Sequence, residues 1–284
     1  MSCIVVIPIY KDYPSPVESA SIQRTFRILS KHNIVFVTHE GCLLDDYKRI
    51  VERERGTWRC EFFDKQFFEG VAQYSSLCLS EEFYLRFEQY DYMLICQPDA
   101  WVFRDELDYW CEQGYDYIGA PVYFPMERQK FTRIFYGVGN GGFSLRRISY
   151  CMNAIRKNRH RIFLKPNILA KIYWYGFLYN TDYKRSLVKR LSLLPLFIAK
   201  VFGFRNTMEH YMKEGCEEDA ILSFWGSNAW GIKCRVPDEC TAARFSMEVH
   251  PQYLYKKTGC QLPFGCHAFE KWEYESFWKK HIEL

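Results

Sequence analysis

The sequence predicts an α/β protein with a mostly parallel central sheet and helices on both of its faces. Over the first 150 residues, short apolar runs alternate with helical patterns, a rhythm typical of βαβ units. The chain has 284 residues, enough for one large core, and no repeat, low-complexity tract or Gly/Ser linker divides it. We therefore expect one domain over residues 1–284.

The elements follow in order from this alternation. Apolar runs between polar turns predict strands, apolar residues at helical spacing predict helices, and right-handed crossovers make consecutive strands parallel. The expected elements are strand 3–9, helix 17–31, strand 33–38, helix 43–54, strand 58–63, helix 69–88, strand 91–96, and short strands at 116–121 and 141–146.

The segment 150–214 interrupts the pattern and predicts a basic, aromatic helical insertion. From Arg156 to Arg205, twelve Lys or Arg residues stand against the single acid Asp182, so this stretch carries +11 and the rest of the chain −7. Its apolar face either packs on the core or lies on an anionic membrane surface, and it is too short and too charged to span a bilayer. Nucleic acid is not an expected partner, because no recognition motif accompanies the charge.

The cysteines indicate the compartment. All twelve are scattered without a Cys-x-x-Cys pair, and no signal-peptide pattern precedes the first strand. We expect free thiols and a cytoplasmic protein.

Asp99 is the most informative residue, because an apolar strand stops there at one carboxylate before hydrophobicity resumes. A buried carboxylate needs a partner, so Asp99 is either a loop anchor or part of a cation and phosphate site. The opening strand also ends in a polar loop, at Pro8, Tyr10 and Asp12. Ligands of open α/β sheets bind outside the carboxyl ends of strands, so these residues would share a crevice if the two strands are neighbours.

Two further clusters carry polar groups. In the turn 137–142, Asn140, Gly141 and Gly142 allow a ligand to approach the backbone, and the Asn140 amide offers a donor and an acceptor. The turn precedes a strand, so it is not a dinucleotide fingerprint. Glu218 and Asp219 open a helix, where they either cap the helix or supply a general base that deprotonates an acceptor hydroxyl.

The loop 262–272 presents His267 and, four positions later, Lys271. An imidazole can ligate a divalent ion and a lysine can neutralise phosphate oxygens, which with Asp99 gives the charges that hold a nucleotide diphosphate. A purely structural histidine is the alternative.

In chain order, these motifs resemble a nucleotide-sugar-dependent glycosyltransferase of the GT-A type. Each has a counterpart there, namely the nucleotide-binding first strand (Pro8, Tyr10), the Asp-x-Asp metal motif (Gln97-Pro98-Asp99), the donor-sugar segment (140–146), the acidic pair of inverting members (Glu218, Asp219) and the C-terminal metal and diphosphate loop (265–271). The strings 99–103, 115–121, 139–146 and 262–268 resemble, more closely, an uncharacterised family of bacterial glycosyltransferases found among polysaccharide-assembly genes.

The resemblance implies a GT-A-like fold, Mn²⁺ or Mg²⁺ held by Asp99 and His267, and an acidic pair that activates the acceptor. The nucleotide sugar, including uridine diphosphate sugars, would bind Pro8, Tyr10, Asp99, Asn140, Gly141, Gly142 and Lys271. Gln97 replaces the first acid of the metal motif, so a metal-independent enzyme that uses Lys271 stays open. Inversion is expected, although the histidine loop also resembles one in retaining enzymes.

The implied acceptor is a glycan or a lipid-linked glycan. Residues 156–205 would then hold the protein on the inner face of the cytoplasmic membrane. The main alternative is a non-catalytic module that only binds sugar nucleotides. Nucleotidyl transfer is a further rival, but no Gly-rich, lysine-containing triphosphate loop lies near the first strand.

Overall fold

The computed structural model describes residues 1–124, 131, 133–158, 207–213, 217–225 and 233–284, with the single residues 195, 198, 199, 202 and 204. Most of the insertion predicted at 150–214, including nearly all of 156–205, lies outside the described residues. No helix in the described ranges combines the length and apolar content that a bilayer crossing requires.

The strands form one large sheet and two small ones. Within the described residues they are β1 (Cys3–Pro8), β2 (Asn33–Thr38), β3 (Cys60–Phe62), β4 (Tyr92–Cys96), β5 (Ala100–Val102), β6 (Tyr117–Ile118), β7 (Ala120–Phe124), β8 (Ile134–Gly139), β9 (Phe143–Arg147), β10 (Ser246–Met247) and β11 (Gly265–His267). The large sheet has the order β3-β2-β1-β4-β9-β6, in which β1 to β4 are parallel and β9 runs antiparallel to both neighbours. A mixed α/β protein with a mostly parallel central sheet is thus confirmed.

Helices cover this sheet. The described α-helices are α1 (Pro16–Ile28), α2 (Asp45–Arg53), α3 (Val71–Cys78), α4 (Glu81–Leu85), α5 (Leu107–Glu112), α6 (Ile148–Asn158), α7 (Met208–Lys213), α8 (Glu239–Phe245) and α9 (Pro251–Lys257); a π-helix spans Ala220–Trp225, and short 3-10 helices span Lys65–Phe68 and Trp278–Lys280. At the start of α1, Ser15 and Glu18 form a reciprocal capping box.

Two predicted elements are each divided in the structure. The helix predicted at 69–88 is the pair α3 and α4, because the Ser80 hydroxyl accepts from the Phe83 amide and caps a new helix. The strand predicted at 116–121 becomes β6 and β7 in different sheets. They separate at Gly119, where a Cβ would overlap the carbonyl oxygen of Gly139.

The core lies on both faces of the large sheet. Along β4, Met93 and Ile95 pack into one hydrophobic cluster, whereas Leu94 and Cys96 pack into the other. Burial on both faces explains why these strands are continuous apolar runs without alternation.

The site depends on two junctions of strands. Because β1 pairs with β4, the loops that follow them lie side by side where the strand order reverses. Because β11 pairs antiparallel with β5, with His267 opposite Ala100, the C-terminal loop is held beside the loop after β4.

Candidate functional site

A cleft of about 870 Å³ opens at the carboxyl ends of β1 and β4. That volume is typical of sites for small ligands. Ten residues predicted from the sequence to belong to the site line this cleft: Pro8, Tyr10, Asp99, Asn140, Gly141, Gly142, Glu218, Asp219, His267 and Lys271. Asp12, expected in the same crevice, instead accepts a hydrogen bond from the Leu43 amide at 3.0 Å and is not part of the lining.

Backbone hydrogen bonds tie together the three loops that carry these residues. The Gln97 amide donates to the Gly142 carbonyl at 2.8 Å, which joins the loop after β4 to the glycine turn. The Ala268 amide donates to the Asp99 carbonyl at 3.1 Å, which joins the same loop to the segment after β11. Asp99 therefore lies at the centre of the convergence.

Asp99, Glu248, His267 and Lys271 form a cluster of alternating charge, called here the Asp99 cluster. Asp99 Oδ1 lies 3.1 Å from His267 Nε2, and Asp99 Oδ2 lies 3.6 Å from Lys271 Nζ. On the other side of the imidazole, Glu248 Oε1 is 3.8 Å from His267 Nδ1. The histidine is thus held between two carboxylates.

These contacts shift both pKa values in the direction that favours charge. Burial opposes ionisation of Asp99, but contact with His267 and the charge of Lys271 lower its pKa to about 2. Burial likewise opposes protonation of His267, but Asp99 and Glu248 raise its pKa to about 9. At neutral pH, with no metal ion bound, an ionised carboxylate faces a protonated imidazole, and a divalent ion would have to displace the imidazole proton.

Asp99 Oδ1, His267 Nε2 and Gln97 Oε1 lie close enough together to offer ligands to a divalent ion. His267 Nε2 hydrogen-bonds with Gln97 Oε1 at 3.0 Å, and the buried Asp99 Oδ1, 3.1 Å from the same nitrogen, accepts no other hydrogen bond among the described residues. A carboxylate oxygen beside an imidazole nitrogen and an amide oxygen fits Mn²⁺ or Mg²⁺. No group of three or more His, Cys, Asp or Glu side chains in the described ranges is arranged to hold a metal, so an ion would also need ligands from a substrate.

Two glycines of the turn are required by close approach. A Cβ at Gly142 would overlap the imidazole of His267, and a Cβ at Gly141 would overlap Oε1 of Glu218. Asn140 has a positive φ of 69°, and its Oδ1 accepts from the Gly142 amide at 3.2 Å. The buried Asn140 Nδ2 has no partner within the described structure, so it is a donor placed for a ligand.

Ser75, Arg146, Glu218 and Asp219 form a second group, called here the Glu218 cluster. Glu218 Oε1 lies 2.9 Å from Nη2 of the fully buried Arg146, and Glu218 Oε2 accepts from the Ser75 hydroxyl at 2.8 Å. Asp219 Oδ2 accepts from the Gly141 amide at 3.2 Å. Burial, followed by repulsion from Glu218 and Glu217, raises the pKa of Asp219 to about 7.

Several residues of the site were not selected from the sequence. Glu248 follows β10 between apolar residues, the same pattern that drew attention to Asp99, so it could have been found. Ser75 and the aromatic lining residues are ordinary members of their elements and carry no such pattern. That aromatic lining consists of Phe68, Tyr74, Tyr123, Tyr136 and His250.

A family model described as "Protein of unknown function (DUF5672)" matches residues 57–267, about three quarters of the chain. The chain belongs to this family. Within the DUF5672 match lie the loop of Asp99, the glycine turn, the acidic pair and His267, whereas Pro8, Tyr10 and Lys271 lie outside it. No curated protein matches the chain.

Solved structures resemble this DUF5672 member at low similarity. The galactosyltransferase LgtC, in complex with donor and acceptor sugar analogues, has a TM-score of 0.46 at 12% identity over 93% of this chain and 86% of LgtC. TarS 1–349 of S. aureus, in complex with UDP-GlcNAc, has a TM-score of 0.32 at 14% identity over 54% of this chain and 47% of TarS 1–349. A cytidylyltransferase from Leptospira borgpetersenii serovar Hardjo-bovis has a TM-score of 0.32 at 9% identity over 54% of this chain and 62% of the cytidylyltransferase. The chain thus spans less than two thirds of the last two, and TM-scores below 0.5 establish neither function nor substrate.

Proposed function

We propose that this protein is a glycosyltransferase that moves a sugar from a nucleotide diphosphate sugar to a hydroxyl of a glycan or lipid-linked glycan. One observation carries the proposal: the Asp99 cluster, the glycine turn and the acidic pair line one cleft at the carboxyl ends of β1 and β4. A diphosphate, a sugar and an acceptor hydroxyl each require one of these groups.

The charge of the cleft supports a cation-assisted diphosphate site. Its described lining contains two cationic groups, Lys271 and the protonated His267, against six carboxylates, of which Glu218 is paired with the buried Arg146: Glu69, Asp99, Glu217, Glu218, Asp219 and Glu248. A diphosphate entering this surface would be repelled unless further positive charge accompanied it. Mn²⁺ or Mg²⁺, held by Asp99 and His267, would supply that charge and stabilise the departing diphosphate.

The rest of the donor fits the remaining lining. The nucleotide would lie against Pro8 and Tyr10 at the end of β1, and the sugar would lie over Asn140 and the glycine turn. The unpartnered Asn140 Nδ2 would then donate to a sugar hydroxyl.

The acidic pair would act on the acceptor. One carboxylate takes the proton of the acceptor hydroxyl while its oxygen attacks the anomeric carbon and the nucleoside diphosphate leaves. Attack opposite the leaving group inverts the anomeric centre.

Turnover of sugar nucleotides tests the proposal. A thermal-shift screen, with and without Mn²⁺, first identifies a donor that stabilises the protein. Asp99→Ala should then lower transfer of that sugar by about 100-fold or more. The exposed Asp45→Ala is the matched control and should leave transfer unchanged. Equal turnover of Asp99→Ala and wild type would contradict the proposal.

A non-catalytic module that binds sugar nucleotides is the second candidate. It is favoured by Gln97 in place of a metal-binding acid and by the lack of a three-residue metal group in the described residues. A tight donor complex that never releases nucleoside diphosphate, with any acceptor of a glycan panel, would establish this alternative.

Membrane attachment is a separate proposal that rests on charge. We propose that residues 156–205, which carry +11, bind the anionic inner face of the cytoplasmic membrane. Co-sedimentation with anionic liposomes should exceed that with neutral liposomes and should fall as salt rises. Equal binding to both would contradict it.

A further inference from the structure

Arg146 is buried beneath the cleft and joins several elements. Its side chain is 0% exposed, and its nitrogens donate to Ser144 Oγ at 3.0 Å, to the Tyr84 hydroxyl at 3.4 Å and to the Gly141 carbonyl at 3.3 Å. A buried guanidinium is stable only when it is paired and fully hydrogen-bonded. Its partner here is Glu218 Oε1, at 2.9 Å.

The two acids of the pair have different surroundings. Both carboxylate oxygens of Glu218 are taken, one by Arg146 and one by Ser75. Among the described residues, the Asp219 carboxylate accepts hydrogen bonds from backbone amides only, from Gly141 at 3.2 Å and from Ala220 at 2.6 Å. In the described part of the chain, no cationic side chain forms an ion pair with Asp219.

We propose that Arg146 and Glu218 are positioning residues that commit their charges to each other, and that Asp219 alone exchanges a proton with the substrate. The proposal rests on the proposed function, because it divides the work of that acidic pair. It also explains the turn, since Arg146 Nη2 contacts both the Gly141 carbonyl and Glu218.

The resulting step balances. The acceptor O–H bond breaks and its proton passes to the Asp219 carboxylate, while the oxygen forms a bond to the anomeric carbon. The bond between that carbon and the diphosphate oxygen breaks, and its electron pair leaves with the nucleoside diphosphate. Asp219 later returns its proton to water.

The groups around Asp219 fix the signs of the expected shifts. Burial raises the pKa of Asp219 most, Glu218 and Glu217, which precede it in the chain, raise it further, and Arg146, which approaches from β9, lowers it. The remaining titratable groups near Arg146 and Glu218 in the described ranges are Tyr117 on β6, Tyr74 and Cys78 on α3, Tyr84 on α4 and Cys151 on α6, all of which burial keeps neutral by raising their pKa values. Removing Arg146 should therefore move the Asp219 titration up, and neutralising Glu218 should move it down.

Carboxyl carbon NMR of ¹³C-labelled protein tests this without reference to activity. The Asp219 signal should titrate with a midpoint of about pH 7 in wild type. The midpoint should rise in Arg146→Met and fall in Glu218→Gln, and the double variant should lie between them. The double variant removes both charges together and so avoids the unpaired buried charge that either single variant leaves. The neighbouring Arg147→Met, whose partner is Asp116 at 3.0 Å, is the matched control and should leave the midpoint unchanged. An Asp219 midpoint that neither variant moves would overturn the inference.

Steady-state kinetics with the sugar nucleotide identified by the thermal-shift screen complete the test. Asp219→Asn should lower kcat by about 100-fold or more at every pH, with an unchanged Kd for the sugar nucleotide. Glu218→Gln should lose less than about tenfold at its own pH optimum, because it displaces the base without removing it. The reverse ranking would overturn the division of roles. Absence of transfer by wild type would count against the proposed function, and the NMR titration would still decide whether Arg146 and Glu218 commit their charges to each other and leave Asp219 to titrate.

Discussion

The Asp99 cluster and the Glu218 cluster place the same kind of side chain in opposite states within one cleft. Asp99 lies between His267 and Lys271, and its pKa falls to about 2 although burial opposes this. Asp219 adjoins Glu218, which already forms an ion pair with Arg146. The pKa of Asp219 rises to about 7. The comparison teaches that burial raises the pKa of both acids, and that the neighbouring cations then decide which acid stays ionised and which carries a proton.

The largest expected effects come from replacing either of the two adjacent glycines between the clusters with alanine. Gly142→Ala should displace the imidazole of His267 and raise the Kd for the sugar nucleotide at least about tenfold. Gly141→Ala should displace Glu218 and shift the Gly141 amide that donates to Asp219, so it should lower kcat by about 100-fold and change Kd by a much smaller factor. Each should also lower the free energy of unfolding by about 1–3 kcal/mol, since the new methyl overpacks a buried contact.

Calorimetric titration and steady-state kinetics separate these two outcomes. Gly41→Ala is the control, because its Cβ would meet only ordinary contacts at 3.4 Å from His39. If both cleft variants altered Kd and kcat in the same proportion, the clusters would not act as separate units.

The pH dependence of stability should differ in sign between the two acids. Asp99 has a lowered pKa, so its contribution of about 2 kcal/mol is present above about pH 4 and is lost as pH falls toward 2. Asp219 has a raised pKa, so the stability it contributes is full below about pH 4 and is lost as pH rises toward 7.

Urea unfolding of wild type, Asp99→Asn and Asp219→Asn from pH 3 to 8 measures these contributions. Stability relative to wild type should fall for Asp99→Asn above pH 4, and it should increase with pH for Asp219→Asn. If the stability differences between wild type and the two variants changed with pH in the same direction, the surroundings of Asp99 and Asp219 would not have opposite effects.

Much of the fold could be predicted from sequence, because parallel strands that are buried on both faces are continuous apolar runs. The strand predicted at 33–38 coincides with β2, and β1 and β4 deviate from their predictions by only one residue at an end. The breaks at Gly119 and Ser80 were missed because each depends on a local contact, a crowded carbonyl or a hydroxyl cap, that periodicity does not register.

The site was predictable as residue types and only partly as geometry. Asp99 and His267 meet through β5 and β11, strands of three residues that are too short to show a pattern. Arg146 lies beside Arg147 in β9, and nothing in the sequence distinguishes it as a fully buried guanidinium beneath the acids. Pairings of this kind arise from tertiary packing, which a single sequence does not encode locally.

The smallest expected effect concerns the exposed edge of the Asp99 cluster. Lys271 is 66% exposed and lies 3.6 Å from Asp99, so Lys271→Met should change the free energy of unfolding by less than about 0.5 kcal/mol. It should still raise KM for the sugar nucleotide by roughly threefold to tenfold and weaken its dependence on salt, because a cation near the diphosphate is lost. Lys279→Met, a comparably exposed lysine paired with Glu275, is the control and should leave KM unchanged.

A crystal structure of the protein with an intact sugar nucleotide would test the central claim most directly. We expect the diphosphate to lie against Asp99, His267 and Lys271, and the anomeric carbon to face Asp219 across the glycine turn. A nucleotide bound outside this cleft, or a sugar directed away from Asp219, would contradict the account.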